Sequence, residues 1–112
     1  MEINGEQVNE VVCYDQLELS PELMRAIEKK GYVQATPVQG GAIPYFMEWR
    51  DVIAKAPTGT GKTFAFGIPM VEHVDPASDA VQGLVLAPTR ELAIQIMEEL
   101  RDLCEFKEGC LL

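Results

Sequence analysis

The chain has 112 residues, 47% of them hydrophobic and 24% charged, with 9 basic and 18 acidic side chains and a net charge of −9. That is enough for one globular domain and too little for two. It excludes a membrane span, because acidic or basic residues interrupt every apolar run, and it argues against broad electrostatic binding of nucleic acid by this chain alone.

Residues 1–13 are polar with scattered apolar positions and are expected to form a tail or edge segment ahead of a unit spanning 14–112. The opening MEINGEQVNE lacks the basic and apolar regions of a secretory signal. Seven carboxylates lie between Glu2 and Glu28, with Arg25 the only base among them, so any nucleic-acid contact must be local. Ser20 then offers an N-cap and Pro21 the first helical position. Leu23, Met24 and Ile27 make an apolar stripe, Lys29 and Lys30 suit the last turn, and Gly31 suits the left-handed residue after it. A second helix starts at Thr36, with Pro37 in its first turn and Gln39 three residues after the cap, a capping-box spacing. Gly40 and Gly41 weaken this helix by on the order of 1–2 kcal/mol, and Pro44 is expected to kink or divide it.

The stretch DVIAKAPTGTGKT, residues 51–63, reads as a strand near Val52–Ala54, a glycine-rich loop and a helix over Lys62–His73, with Gly67 and Pro69 as irregularities. Gly59 and Gly61 allow a sharp turn whose N–H groups face a phosphate, at a helix N-terminus that favours anions. Lys62 supplies a point charge for β- and γ-phosphates, and the Thr63 hydroxyl is a ligand for Mg²⁺. Ala56 stands where the general phosphate-loop pattern has glycine. Asp75 onward is a loop by composition. Gly83–Ala87, GLVLA, reads as a second strand covered on both faces. PTREL, Pro88–Leu92, opens an amphipathic helix to about Phe106, with Leu92, Ile96, Leu100 and Leu103 on its apolar face. A third strand begins near Cys110. Cys13, Cys104, Cys110 and the single His73 form no metal-ligand set, and inert thiols of a reducing cytoplasmic compartment are expected.

Taken singly, Gln39 is a cap before it is a ligand, and PTREL is a strand-to-helix connection capped by Thr89. Together the segments resemble a family. GYVQATPVQ, Gly31–Gln39, is similar to the Q motif of DEAD-box RNA helicases, with Tyr14 at the place of an isolated upstream aromatic. APTGTGKT, Ala56–Thr63, resembles the family's motif I, which begins with alanine, and PTREL resembles motif Ia.

The resemblance implies an α/β fold: a RecA-like parallel sheet with flanking helices, incomplete here at about the first half of the domain. It implies ATP and Mg²⁺ as cofactors. Gln39 would read the adenine edge and Tyr32 its face, with Tyr14 and Thr36 beside them. Pro57, Thr58, Gly59, Thr60 and Gly61 would wrap the phosphates, Lys62 would neutralise them, and Thr63 would hold the metal. Pro88, Thr89 and Arg90 would touch the backbone of an RNA partner. Ala35, Gly40–Gly41 and Trp49 depart from the family's usual residues, which bears on the rigidity of the adenine pocket. The sequence carries no Asp-Glu-Ala-Asp box and no second-domain motif. The chain alone is therefore expected to be catalytically inactive, as the N-terminal part of an ATP-dependent RNA helicase, to lack a complete catalytic set, and to self-associate through open sheet edges. The competing readings are a non-catalytic nucleotide-binding or interaction module and an unrelated P-loop ATPase or kinase.

Overall fold

The computed structural model describes residues 2–4, 12–56, 61–110 and 112. Among the described residues there are four short strands: β1 (Glu2–Asn4), β2 (Val12–Cys13), β3 (Gln34–Ala35) and β4 (Ile53–Lys55). With them are four helices, α1 (Pro21–Lys29), α2 (Pro37–Met47), α3 (Lys62–His73) and α4 (Arg90–Cys104), and a 3₁₀ turn over Tyr14–Leu17, in the chain order β1, β2, 3₁₀ turn, α1, β3, α2, β4, α3, α4. β1 pairs in parallel with β4, Ile3 opposite Ala54. β2 pairs antiparallel with β3, Val12 opposite Ala35.

The helix starts are set by local chemistry. Ser20 caps α1, its hydroxyl accepting from the Leu23 N–H, with Pro21 in the first turn. The same Ser20 is bound from outside: its backbone N–H and its hydroxyl donate to the Glu72 carboxylate at 3.0 and 2.5 Å. The cap thereby ties the start of α1 to the end of α3. Gly31 at φ +82° ends α1 in the left-handed region, as its sequence position requires. Thr36 caps α2 in a complete capping box. Thr89 caps α4, its Oγ1 accepting from the Leu92 N–H at 3.2 Å.

The core forms where α1, α3 and α4 meet. Leu23 and Ile27 of α1, Ile68 and Val71 of α3, and Leu100 and Leu103 of α4 are buried in one cluster with Tyr14, Ile43 and Phe64. Lys29–Glu105 and Lys30–Asp102 pairs at 2.5 Å bridge α1 to α4 at the surface, where exposed pairs contribute little. Lys107 closes the far end of α3: its Nζ donates to the Val71 and Glu72 carbonyls at 2.5 and 3.1 Å. Those are among the last carbonyls of the helix, which have no partner inside it.

Several expectations change. Pro44 does not divide α2, which runs unbroken to Met47, and α3 runs through both Gly67 and Pro69. Tertiary packing on α3 holds α2 together despite the missing backbone donor. Gly40 has a positive role: a Cβ there would lie 3.3 Å from Val12 Cγ2, so the glycine lets β2 lie close on α2. α4 ends at Cys104, and Leu92 is exposed rather than part of its buried face.

The largest change is at Gly83–Ala87, which forms no strand. Val85 and Ala87 pack partly against the core, while Leu84 and Leu86 are 78% and 87% exposed. Only one face is covered, because no hydrogen-bonded neighbour or second layer lies against the segment among the described residues. Its continuous apolar character is that of a segment covered on both faces. At the chain's other end, residues 110 and 112 are likewise in no strand.

Candidate functional site

A strand and a helix flank the glycine-rich segment, as the composition requires. β4 delivers the chain to the loop, and Gly61 turns it into α3 at φ +80°. An L side chain is strained there, and a Cβ would also collide with Gln39 Nε2. Two independent demands therefore fall on one glycine. Gly61 is the N-cap of α3 and provides no side-chain cap. The N–H groups of the first turn are thus left for an anion, at the positive end of the helix. Lys62 is exposed beside them, and none of the described residues forms an ion pair with it.

Gln39 joins this helix start to the α2 cap. Its Oε1 accepts from the Thr36 N–H at 3.0 Å and from the Tyr14 hydroxyl, and its Nε2 donates to the Gly61 carbonyl at 3.1 Å. The Thr36 donor and the Gly61 acceptor fix which way the amide points. Gln39 is 2% exposed and is the one buried polar side chain among the described residues. One amide thus serves as a cap, a partner for a buried phenol and a tether on the phosphate-loop side.

Around it lies a cleft of about 570 Å³, within the usual size range of small-molecule sites. Tyr14, Tyr32, Thr36, Gln39, Gly61, Lys62 and Thr63 all line it. Tyr32 is half-exposed and stands edge-to-face on Phe64, ring centroids 5.8 Å apart, so its ring is braced at the cleft wall. Thr63 offers a neutral hydroxyl oxygen of the kind a hard cation accepts, and no cluster of three or more His, Cys, Asp or Glu side chains able to hold a metal occurs among the described residues. A Mg²⁺ ion here fits only as a shared ion, held by Thr63 and by a ligand's own phosphates.

Pro57, Thr58, Gly59 and Thr60 lie outside the described residues. Pro88, Thr89 and Arg90 are exposed at the start of α4 and do not line the cleft, but Leu92, Gln95, Ile96 and Glu99 of the same helix do. α4 therefore connects the two places. Sequence reasoning missed Lys30, Phe64, Gln95 and Glu99 as cleft residues. Lys30 was legible only as a helix-end cation, because its partner Asp102 is far along the chain; the Asp102 hydrogen bond holds the Lys30 ammonium above its usual range.

Burial pushes the Tyr14 phenol up to about 12, from 10.0 in a solvated tyrosine. The folded state therefore resists ionisation that the unfolded chain accepts. The stability from this group is complete below pH 10 and is lost as pH rises toward about 12. Urea unfolding of the wild type should weaken across that window, and Tyr14→Phe should flatten the dependence. An unchanged slope in Tyr14→Phe would remove Tyr14 as its source.

The arrangement defines a P-loop α/β nucleotide-type site: a strand, a glycine turn, an uncapped helix start with Lys-Thr, and an amide held beside it. A DEAD/DEAH box helicase family model matches residues 36–111, and the chain belongs to that family. It is 56% identical over 90 residues to the DEAD-box ATP-dependent RNA helicase CshA of Geobacillus kaustophilus, covering 80% of this chain and 19% of that protein. The Bacillus subtilis CshA is 48% identical over 101 residues, 90% of this chain and 20% of that one. The chain thus spans about a fifth of the length of these relatives.

Among solved structures, a DEAD box protein from the hyperthermophile Methanococcus jannaschii superposes with a TM-score of 0.77 at 38% identity, over 81% of this chain and 25% of that one. A Saccharomyces cerevisiae Dbp5 variant bound to Gle1 and IP6 gives 0.80 at 34% identity, over 85% and 25%. The fold is therefore part of a DEAD-box RecA-like domain, and an unrelated P-loop ATPase or kinase is excluded. No helix among the described residues is long and apolar enough to cross a membrane.

Proposed function

We propose that this chain is the adenine- and phosphate-binding part of an ATP-dependent RNA helicase, and that alone it holds a nucleotide without hydrolysing it. The observation that supports this reading most is the Gln39 amide, bonded at once to the α2 cap and to Gly61 at the head of α3. A base-reading group and a phosphate-binding helix start are thereby placed in one cleft with Tyr32 and Lys62. The Gln39 amide offers adenine a matched donor and acceptor. To do so it donates its second Nε2–H and shares Oε1 with the base, while the bond to Gly61 keeps the amide tied to the head of α3. Tyr32 packs on the base, and Thr36 and Tyr14 hold Gln39 in place. Pro57, Thr58, Gly59, Thr60 and Gly61 surround the phosphates. Lys62 neutralises them, and Thr63 holds Mg²⁺, which when bound draws charge from the phosphate oxygens.

RNA is the proposed partner of the α4 start, where Thr89 and Arg90 follow Pro88 on an exposed helix N-terminus. Exposed Leu84 and Leu86 favour self-association of this chain, for which sedimentation should show a concentration-dependent dimer or larger species; a monomer at all concentrations would contradict it. The proposed compartment is the cytoplasm.

The phosphate site is tested by Lys62→Ala. Removing a charge-assisted phosphate contact should weaken ADP binding by roughly 1.5–3 kcal/mol, about ten- to a hundredfold, with little change in thermal stability because Lys62 is exposed. Unchanged ADP affinity in a calorimetric titration would remove Lys62 from the site.

A further inference from the structure

Outside the nucleotide cleft, two thiols are brought together without a role in the proposed function. Cys104 closes α4, and the turn that follows, held by backbone bonds from Lys107 to Cys104 and from Cys110 to Lys107, folds the chain back on itself. The two sulfur atoms, Cys104 Sγ and Cys110 Sγ, stand 2.7 Å apart. That is closer than the roughly 3.5–4.0 Å of ordinary packed carbon atoms. Two features hold them there. Gly109, at φ +80°, packs so close to Pro76 that a Cβ would lie 2.8 Å from the proline Cβ. Lys107, between the two cysteines, is anchored on the Val71 and Glu72 carbonyls of α3. Both cysteines are half-buried free thiols, and both line an open cleft of about 550 Å³ beside α3 and α4. A small oxidant can reach them.

We propose that Cys104 and Cys110 are a redox modification site, closing to a reversible intramolecular disulfide that clamps the end of α4 to the segment after it. With a peroxide as oxidant, the Cys110 sulfur attacks a peroxide oxygen, giving up its proton, and the O–O bond breaks. The leaving hydroxide takes up a proton as water, and Cys110 becomes a sulfenic acid. The Cys104 sulfur then attacks the Cys110 sulfur: the S–S bond forms, the S–O bond breaks, and hydroxide leaves with the Cys104 proton as a second water. Two thiols are oxidised and one peroxide is reduced to two waters. This order follows from the environment of Cys104. Burial and the adjacent Cys110 push its thiol up to about 12 against a smaller downward pull from Lys107, so it remains protonated at neutral pH and acts second. A thiol reductant reverses the bond by exchange.

Cys13 is the internal control, since it lies on β2 at the other end of the sequence. The purified 112-residue chain, at micromolar concentration, is treated with a small molar excess of hydrogen peroxide, quenched with an alkylating agent and digested with trypsin. Cleavage at Lys107 separates the two cysteines, so a disulfide joins the 102–107 peptide to the 108–112 peptide. The expected result is that this linked pair dominates any link containing Cys13 by on the order of a hundredfold, reflecting a millimolar effective concentration within the loop. It should vanish on dithiothreitol treatment, persist in Cys13→Ser, and be absent from Cys104→Ser and Cys110→Ser. Equal alkylation of all three cysteines after peroxide, or a dominant link through Cys13, would overturn the proposal.

Discussion

Replacing Gln39 by alanine is expected to destabilise the chain by about 2–4 kcal/mol and to abolish any preference for adenine. Three partners lose their bond at once: the Thr36 N–H, the Tyr14 hydroxyl and the Gly61 carbonyl. Tyr14 is 2% exposed, so its hydroxyl has no water to turn to, and a buried group left unsatisfied costs about 1–3 kcal/mol. The reciprocal half of the α2 capping box goes as well, at a further ~1 kcal/mol. Gln39→Glu separates the two roles. A carboxylate still accepts from Thr36 and Tyr14 but cannot donate to Gly61. It should retain more of the stability than alanine while losing adenine preference as completely. Urea unfolding and nucleotide titration of both variants check this. Equal destabilisation by the two would mean that the lost bond to Gly61 and the burial of a carboxylate together outweigh the retained cap.

Leu103→Ala is the second large effect, at about 2–5 kcal/mol. Leu103 is fully buried in the main core cluster, on the helix that packs on both α1 and α3. Its Cδ1 lies 3.3 Å from where a Cβ on Gly67 would stand, so it fills the groove left by that glycine. The backbone of α3 cannot collapse into the space that truncation opens, so the cavity should persist. A native chain holds only about 5–15 kcal/mol in total, and this substitution should bring much of it near unfolding at 37 °C. Leu92→Ala, on the same helix but exposed, should cost little. Similar losses for the two would contradict the placement of α4.

Features set by short-range rules could be read from the residues alone. Ser20, Thr36 and Thr89 cap their helices, the α2 capping box forms, and Gly31 takes the left-handed position after α1. Each depends on residues within four positions of one another. The grouping of Tyr14, Tyr32, Gln39 and Lys62 in one cleft was legible only through the resemblance, since no periodicity links them. Three things escaped. Lys30 reaches the cleft because α1 packs on α4, a contact set by tertiary structure. The Cys104–Cys110 pair depends on the turn between them. The sequence Gly83–Ala87 has the composition of a buried strand, but strand pairing needs a neighbour, and composition does not supply one. Trp49 stands where the family usually has glycine, at φ +63°, with its ring centroid 3.8 Å from that of His73 and the two planes tilted by 40°. This ring contact offsets part of the cost of a left-handed backbone that glycine adopts freely.

The proposed function requires that Gln39 and the head of α3 form a single adenine-nucleotide site. A calorimetric comparison of ADP with GDP, on the wild type and on Gln39→Glu, tests it most directly. The predicted result is binding of ADP at least about tenfold tighter than GDP, a difference of about 1.4 kcal/mol, that disappears in Gln39→Glu while the variant remains folded. Equal affinity of the wild type for ADP and GDP, or an undiminished preference in folded Gln39→Glu, would contradict it.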